Sequence, residues 1–221
     1  MKEKIYKDNK ITCPVCEKDR WIDFMTVGSQ IYLGCEECDA VFLEPSMLPN
    51  REEEEARYLQ HLNYPSDPVY RKFLSRLADP LLERLPAGSH GLDYGCGPGP
   101  ALSEILKEAG HSVDLYDPFF HPDKSPLGRK YDFVACAEVV EHFHKPAREF
   151  TKLRGLLVPG GLLGIMTCFL TEQTFFPGWH YRRDPTHVVF YRERTFEVIA
   201  RDQKWICEIP VANVVFLRKP C

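Results

Sequence analysis

Three groups of residues in this 221-residue chain have types and spacings that could do chemistry. The first is four cysteines. Cys13 and Cys16 form one C-x2-C, and Cys35 and Cys38 form another, eighteen residues further on. At that spacing two tight turns, CPVC and CEEC, can aim four thiolates at one zinc ion. Protein sulfur would then fill every tetrahedral position, so the metal is a structural staple with no open site for catalysis. The second group is the glycine turn in LDYGCGPGP, where Gly95, Gly97 and Gly99 follow a strand pattern and open a helix. A chain that turns so tightly with a ligand against its backbone needs residues without a β-carbon. Asp117 closes the next strand pattern, 22 residues after Gly95. A carboxylate at that distance can take two ribose hydroxyls. The third group is FFPGWHYRRDPTHVVFY, which gathers His180, Tyr181, Arg182, Arg183, Asp184 and His187 into one long connection. Either histidine could accept a proton near neutral pH. His187 is the better placed, because it directly precedes the apolar VVFY, whereas His180 follows Pro177-Gly178. The plainer reading is that Asp184 and His187 lock the loop while the arginines are solvated.

These groups need elements to position them. KDRWIDFMTVGSQIYLG, between the cysteine pairs, alternates as a hairpin does. The run Glu52 to Glu55 reads as the solvated face of a linker helix. From about Ser66 strands and helices alternate. PSDPVYRKFLSRLADPLLERL is amphipathic, with Phe73, Leu74, Leu77, Leu81, Leu82 and Leu85 on one side. GLDYG, HSVDLYD, YDFVACAE and GGLLGIMTCF read as strands, and ALSEILKEA, KPAREFTKLRGLLV and RERTFEVIARDQ as helices. WICEI and NVVFLRKP can close the sheet as a final hairpin. The pattern predicts a doubly wound, mostly parallel α/β sheet with its ligand at the carboxyl ends of the strands. It predicts a zinc-ribbon-like module over 1–48, a linker helix over 49–65 and the α/β domain over 66–221. Hydrophobic residues at 44% and charged residues at 27% fit a globular chain. No apolar run is long enough for a bilayer. MKEKIYKDNK lacks the apolar stretch of a signal peptide, so the cytoplasm is expected and the nine cysteines are read as reduced.

The glycine turn departs from a dinucleotide fingerprint, which would place its third glycine at Pro100 and require a second βαβαβ half. With its acidic strand end, the chain instead resembles the class I S-adenosylmethionine-dependent methyltransferases. LDYGCGPG is similar to their first motif, LYDP to the second, YDFVACAEVVEHF to the fourth, and LLVPGGLLGIMT to the segment around the fifth strand. CPVC to CEECDAVFLEP resembles a zinc-binding module fused ahead of many bacterial members. The resemblance implies that Asp93 and the backbone from Gly95 through Cys96 and Gly97 to Gly99 cradle the methionine end of S-adenosylmethionine. It implies that Asp117 holds the ribose, with Pro118 and Phe119 beside the adenine, and that Ala137 and Glu138 line the reactive side. Only Pro118 to Lys130 separate the second strand's acid from YDFV. The usual third strand is thus reduced to a proline-rich loop, and the adenine-amino ligand has no matching position. E-x-x-E-H at Glu138, Glu141 and His142 resembles quinone-pathway O-methyltransferases in which those positions can hold a divalent cation. Capping of a helix start and charge pairing is the alternative.

Methyl transfer to the acceptor needs alignment above all, and a base only where the acceptor must lose a proton. The loop of His180 and His187 is the expected acceptor site and is expected to be ordered by substrate. The formal net charge is −4, and residues 1–60 hold eight Lys/Arg against thirteen Asp/Glu, which argues against a nucleic-acid partner. No [DN]PP[YFW] follows the fourth strand, and no Pro-Cys pair accompanies Cys168, which reads as a packed thiol. The expectation is a methyltransferase for an O, N or C acceptor on a small molecule. An RNA or protein methyltransferase recruited through the zinc module and a non-catalytic cofactor-binding module are the alternatives. Oligomeric state is left open.

Overall fold

A computed structural model of the chain describes residues 11–60 and 64–221. Residues 1–10 of the expected module, including the segment used above to argue for the cytoplasm, and 61–63 of the expected linker lie outside the described residues. The alternation between the cysteine pairs folds as an antiparallel hairpin of β1 (Trp21–Val27) and β2 (Gln30–Cys35). β3 (Val41–Leu43) pairs antiparallel with β2 and is buried along its whole length. The acidic run forms α1 (Arg51–Tyr58), opened by a reciprocal cap in which Asn50 Oδ1 accepts from Glu53 N–H and Glu53 Oε2 accepts from Asn50 N–H. No residue of α1 is buried.

α2 (Pro68–Leu82) starts at Asp67, whose carboxylate takes the Val69 N–H, with Pro68 in the first turn where its missing N–H costs nothing. It buries Leu74, Leu77, Ala78 and Leu81. Then follow β4 (His90–Tyr94), α3 (Ala101–Glu108), β5 (Ser112–Tyr116), β6 (Tyr131–Ala137), α4 (Pro146–Leu156) and β7 (Leu157–Met166). After the long connection come β8 (Val189–Phe190), α5 (Glu193–Gln203), β9 (Ile206–Val211) and β10 (Val214–Arg218). The main sheet has the order β5-β4-β6-β7-β10-β9. Its first four strands run parallel, and β10 is antiparallel to both β7 and β9. Leu77, Leu81, Leu102 and Leu106 of α2 and α3 pack with Phe133 on one face. Phe150 and Leu153 of α4 and Phe196 of α5 pack with Leu163 on the other. The chain is therefore the expected doubly wound α/β fold with a mixed, mostly parallel sheet.

Two features bear on the site. Between β5 and β6 the chain makes only an Asp117–His121 bridge and a 3₁₀ turn at Ser125–Gly128, so β5 is an edge strand. The strand order reverses between β4 and β6, which opens a crevice at their carboxyl ends. The second feature departs from expectation. Val189 and Phe190, read above as part of a long loop, form β8, which pairs with β3 to complete a second sheet of order β1-β2-β3-β8. The edge of β3 would otherwise expose unpaired backbone groups beside an apolar core, and VVFY supplies both hydrogen bonds and apolar cover. One apolar cluster accordingly runs from Leu33 and Phe42 through Phe190 to Phe150 and Phe196.

Candidate functional site

The cysteines converge. Cys13 Sγ lies 3.6 Å from Cys38 Sγ, and Cys16 Sγ lies 3.5 Å from Cys35 Sγ. All four sulfurs are within 4.8 Å of one another. A disulfide needs about 2.05 Å, whereas a tetrahedron of about 2.3 Å Zn–S bonds has edges of about 3.8 Å. The spacing fits one zinc and no disulfide. The two knuckles share a turn that the cysteine spacing alone does not reveal. Glu17 and Asp39, each four places after the first cysteine of its pair, take φ of 60° and 59°. Each returns its N–H to that cysteine's carbonyl, at 2.9 and 3.0 Å.

At the end of β4 the chain turns through Gly95 at φ 79° and Gly97 at φ 65°. A β-carbon on Gly95 would lie 2.6 Å from a methyl of Val139. Both glycines are required by conformation, the first also by space. Asp117 fastens this turn to the loop after β5. Its Oδ2 accepts from Gly97 N–H at 3.0 Å, and its Oδ1 accepts from Phe119 and Phe120 N–H at 2.8 and 3.0 Å. A carboxylate offers about four acceptor positions, so this one serves the fold and can still face a ligand. Asp93 is 3% exposed and accepts from Ser103 Oγ at 2.9 Å. Burial pushes its carboxyl up to about 6, with the Ser103 bonds partly offsetting the rise.

Gly95, Cys96, Gly97, Asp117, Pro118 and Phe119 line one end of a cavity of about 880 Å³. Ala137, Glu138, His180 and His187 line the other. Of the residues expected to bind the cofactor, Asp93 and Gly99 are the two that do not line it. Asp93 instead lies beneath the turn, holding the start of α3.

The second end is dense with ionisable groups. Glu138 sits at φ 56°, an unfavourable conformation for a residue with a β-carbon, and donates its N–H to Met166 O at 2.8 Å. Glu141 is fully buried in the 3₁₀ turn Val140–His142. Its carboxylate accepts from Thr167 Oγ1 at 3.0 Å and from Tyr181 OH at 2.5 Å. Glu141 is therefore a buried acceptor, a role that neither expected reading of E-x-x-E-H included. Burial, reinforced by the neighbouring Glu141, pushes Glu138 up to about 9. Burial raises Glu141 to about 7, against the opposing hydrogen bonds of Tyr181 and Thr167. His187 is 9% exposed, its ring centroid 4.2 Å from that of Tyr181 and 4.6 Å from that of His142. His142 donates from Nδ1 to Thr186 O at 3.0 Å, and burial holds it down to about 3, so it is neutral with a bare Nε2. Glu141, His142 and His187 bring potential ligand atoms within 4.8 Å of one another, a group that does not include Glu138. His180 is exposed at the rim.

The loop is anchored more firmly than its composition suggested. Asp184 Oδ1 accepts from Thr186 N–H and Oγ1 at 3.0 and 2.6 Å, while Oδ2 accepts from Arg57 Nε and Nη2 at 2.9 and 2.8 Å. Arg182, solvated on the plainer reading of the loop, donates to Gln30 Oε1 at 3.0 Å on β2. The sequence reading also missed Glu54, Arg57 and Tyr58, which bring α1 to the cavity wall. Their spacing of three and four puts them on one helix face, but nothing in the composition says what that face meets.

The methyltransferase domain family matches residues 56–204. The chain belongs to that family. Three solved structures share its fold. A 1,6-didemethyltoxoflavin N1-methyltransferase of Burkholderia thailandensis, bound to 1,6-didemethyltoxoflavin and S-adenosylhomocysteine, is 16% identical. Its TM-score is 0.53, over 91% of this chain and 100% of that one. CalO1, a methyltransferase of calicheamicin biosynthesis bound to S-adenosylhomocysteine, is 15% identical with a TM-score of 0.52, over 69% of this chain and 54% of that one. The chain thus spans about half the length of CalO1. The third, from Haloferax volcanii, is a complex of the Trm112 methyltransferase activator with a methyltransferase. It is 12% identical with a TM-score of 0.51, over 78% of this chain and 100% of that one. No curated protein matches the chain in sequence. Among the described residues no helix is long and apolar enough to cross a membrane.

Proposed function

We propose that this chain transfers the methyl group of S-adenosylmethionine to an O, N or C atom of a small molecule. The observation that carries the reading is the single cavity shared by the glycine turn, Asp117 and the two loop histidines. Its volume of about 880 Å³ falls within the roughly 300–1,000 Å³ typical of small-ligand pockets. The Gly95–Gly99 turn, braced from beneath by Asp93 through Ser103, holds the methionine end of the cofactor, and Asp117 the ribose. Pro118 and Phe119 lie beside the adenine, and Ala137 and Glu138 beside the sulfonium. The bound cofactor supplies an electrophilic methyl, and the protein supplies alignment and exclusion of water. His187, held between Tyr181 and His142, stands at the acceptor end where it can take the acceptor's proton, and His180 guards the rim. The cysteines hold one structural zinc in a module of residues 1–48, joined through 49–65 to the catalytic domain of 66–221. That module presents its third strand to β8 rather than to solvent, which favours a role in building the site over recruiting a macromolecule. The Burkholderia thailandensis enzyme, with 1,6-didemethyltoxoflavin bound, supports the same substrate class.

Calorimetry with S-adenosylhomocysteine tests the cofactor assignment. Wild type is expected to bind, and Asp117→Ala to lose about 1.5–3 kcal/mol, the scale of charge-assisted hydrogen bonds. Absent binding, or equal binding by the variant, refutes it. Labelled cofactor added to fractionated cell extract then identifies the acceptor by which fraction takes the label. Label appearing in RNA or protein overturns the small-molecule reading.

A further inference from the structure

The loss of the third strand leaves a gap. In this fold the strand and helix beyond β5 would wall the cleft on the side of Asp117, yet here β5 is the edge of the sheet. The thirteen residues from Pro118 to Lys130 cannot build that wall, because they are spent on a turn, a bridge and one 3₁₀ turn. The same side of the cleft is covered by α1, which comes from the opposite end of the sequence.

α1 is an unusual element to find there. It buries no residue and carries four consecutive glutamates, so apolar burial does not explain its position. What holds it is a set of specific contacts to the loops after three parallel strands. Arg51 donates from Nη2 to Pro118 O at 3.1 Å, and its guanidinium lies 4.7 Å from the Phe119 ring centroid. Glu54 lies 3.1 Å from His144 Nε2, in the loop after β6. Arg57 makes its two-pronged contact with Asp184, in the connection after β7. Tyr58 packs edge-on to Phe119 at 5.1 Å and to His142 at 5.3 Å. The inner face of the helix thus touches the cofactor end through Phe119 and the acceptor end through His142 and Asp184.

We propose that α1 replaces the missing third β/α unit as the roof of the adenosine end. In this arrangement Tyr58 and Phe119 together form the apolar wall against which the purine packs, while Arg51 and Arg57 clamp the roof shut. The proposal rests on the cofactor reading above and adds to it a binding residue, Tyr58, that lies outside the glycine turn and the strand-end motifs. It also gives the acidic helix a reason to exist. Weak apolar attachment lets the roof lift for cofactor exchange, and the bound purine supplies the apolar surface that α1 otherwise lacks.

The experiment uses the full chain and S-adenosylhomocysteine as the probe. Binding to wild type comes first, because its failure refutes the cofactor reading and not the roof. Given wild-type binding, Tyr58→Ala is expected to weaken it about tenfold and Tyr58→Phe less than about twofold, since an aromatic face is what the purine needs. Arg51→Ala, which frees one end of the helix without touching the glycine turn, is expected to weaken it several-fold. Limited proteolysis supplies a readout independent of affinity: saturating S-adenosylhomocysteine should protect the peptide bonds of residues 48–60. Wild-type affinity in both Tyr58→Ala and Arg51→Ala overturns the proposal, as does cleavage within 48–60 at the same rate with and without the ligand.

Discussion

Asp184 joins the acceptor loop to α1, and its removal gives the clearest measure of that joint. In Asp184→Ala the loop loses the acceptor for Thr186 N–H and Oγ1, an arrangement that resembles a helix N-cap in serving adjacent donors from one carboxylate. Such a cap is worth about 1 kcal/mol. Arg57 loses its partner at the same time. The Asp184 side chain is 9% exposed and that of Arg57 33%, so the pair is partly screened, and its charge-assisted bonds contribute about 1–2 kcal/mol. The sum, about 2–3 kcal/mol, corresponds to a melting temperature lower by roughly 5–10 °C for a chain of this size. Asp184→Asn keeps an oxygen for Thr186 and removes the charge facing Arg57, so it should lose about half as much. The pH dependence has a definite sign. Burial would raise the Asp184 carboxyl, but the Arg57 and Thr186 hydrogen bonds outweigh it and hold the group below the usual carboxylate range. A depressed carboxyl stabilises the fold fully above its unfolded value, near 3.9, and loses that effect as pH falls through the folded one. The gap between wild type and Asp184→Asn should therefore be flat from pH 7 to about 5 and narrow only below about 4. Scanning calorimetry across that range provides the assay. Melting of both variants within about 1 °C of wild type at pH 7 would refute the reasoning.

The remaining predictions concern zinc, the loop histidine and the strained glutamate. Elemental analysis should find close to one zinc per chain, and Cys38→Ser should lose it; because the module shares a sheet with β8, chelation should also lower the melting temperature while leaving S-adenosylhomocysteine binding measurable by calorimetry. His187→Ala should keep cofactor affinity nearly intact and cut turnover roughly 100-fold or more on the acceptor found by labelling; full turnover with reduced thermal stability would make His187 a loop lock. For Glu138, a carboxyl held up to about 9 by burial and by Glu141 destabilises the fold progressively as pH rises from its unfolded value toward the folded one. Glu138→Gln should therefore melt higher than wild type at pH 8, with the difference closing by pH 5; a constant difference across that range contradicts the raised value.

The parts of this protein that could be read from its sequence are those whose cause is local. The alternation around β1 and β2, the Leu74–Leu81 stripe of α2 and the glycines of the turn each follow from a period or a dihedral angle. The four cysteines could be read because metal spacing is itself a local code. The remainder depended on contacts between distant segments. Two residues, Val189 and Phe190, are too few to show a strand period, and their partner on β3 lies near residue 42. Glu141 looks like an exposed acid, and only the hydroxyls of Thr167 and Tyr181 explain how it can be buried. The contact face of α1 was invisible because polar residues that dock and polar residues that are solvated look alike until their partners are known.

β8 also changes what the acceptor loop can do. Val188, next to His187, donates its N–H to Glu141 O at 2.9 Å and accepts from Leu43 N–H at 2.9 Å. The backbone after His187 is thereby bonded at once to the turn after β6 and to the last strand of the cysteine module. A side chain on such a support keeps its position without help from a ligand. The expectation that substrate orders the loop then applies to its outer half, where Phe175 is 75% exposed and His180 lies at the rim. The division is chemically sensible. A proton acceptor must be in place before the acceptor atom arrives, whereas the rim must yield to let the acceptor in. On the proposed mechanism the cysteine module acts at a distance from the methyl group: it fixes β3, which fixes β8, which fixes His187.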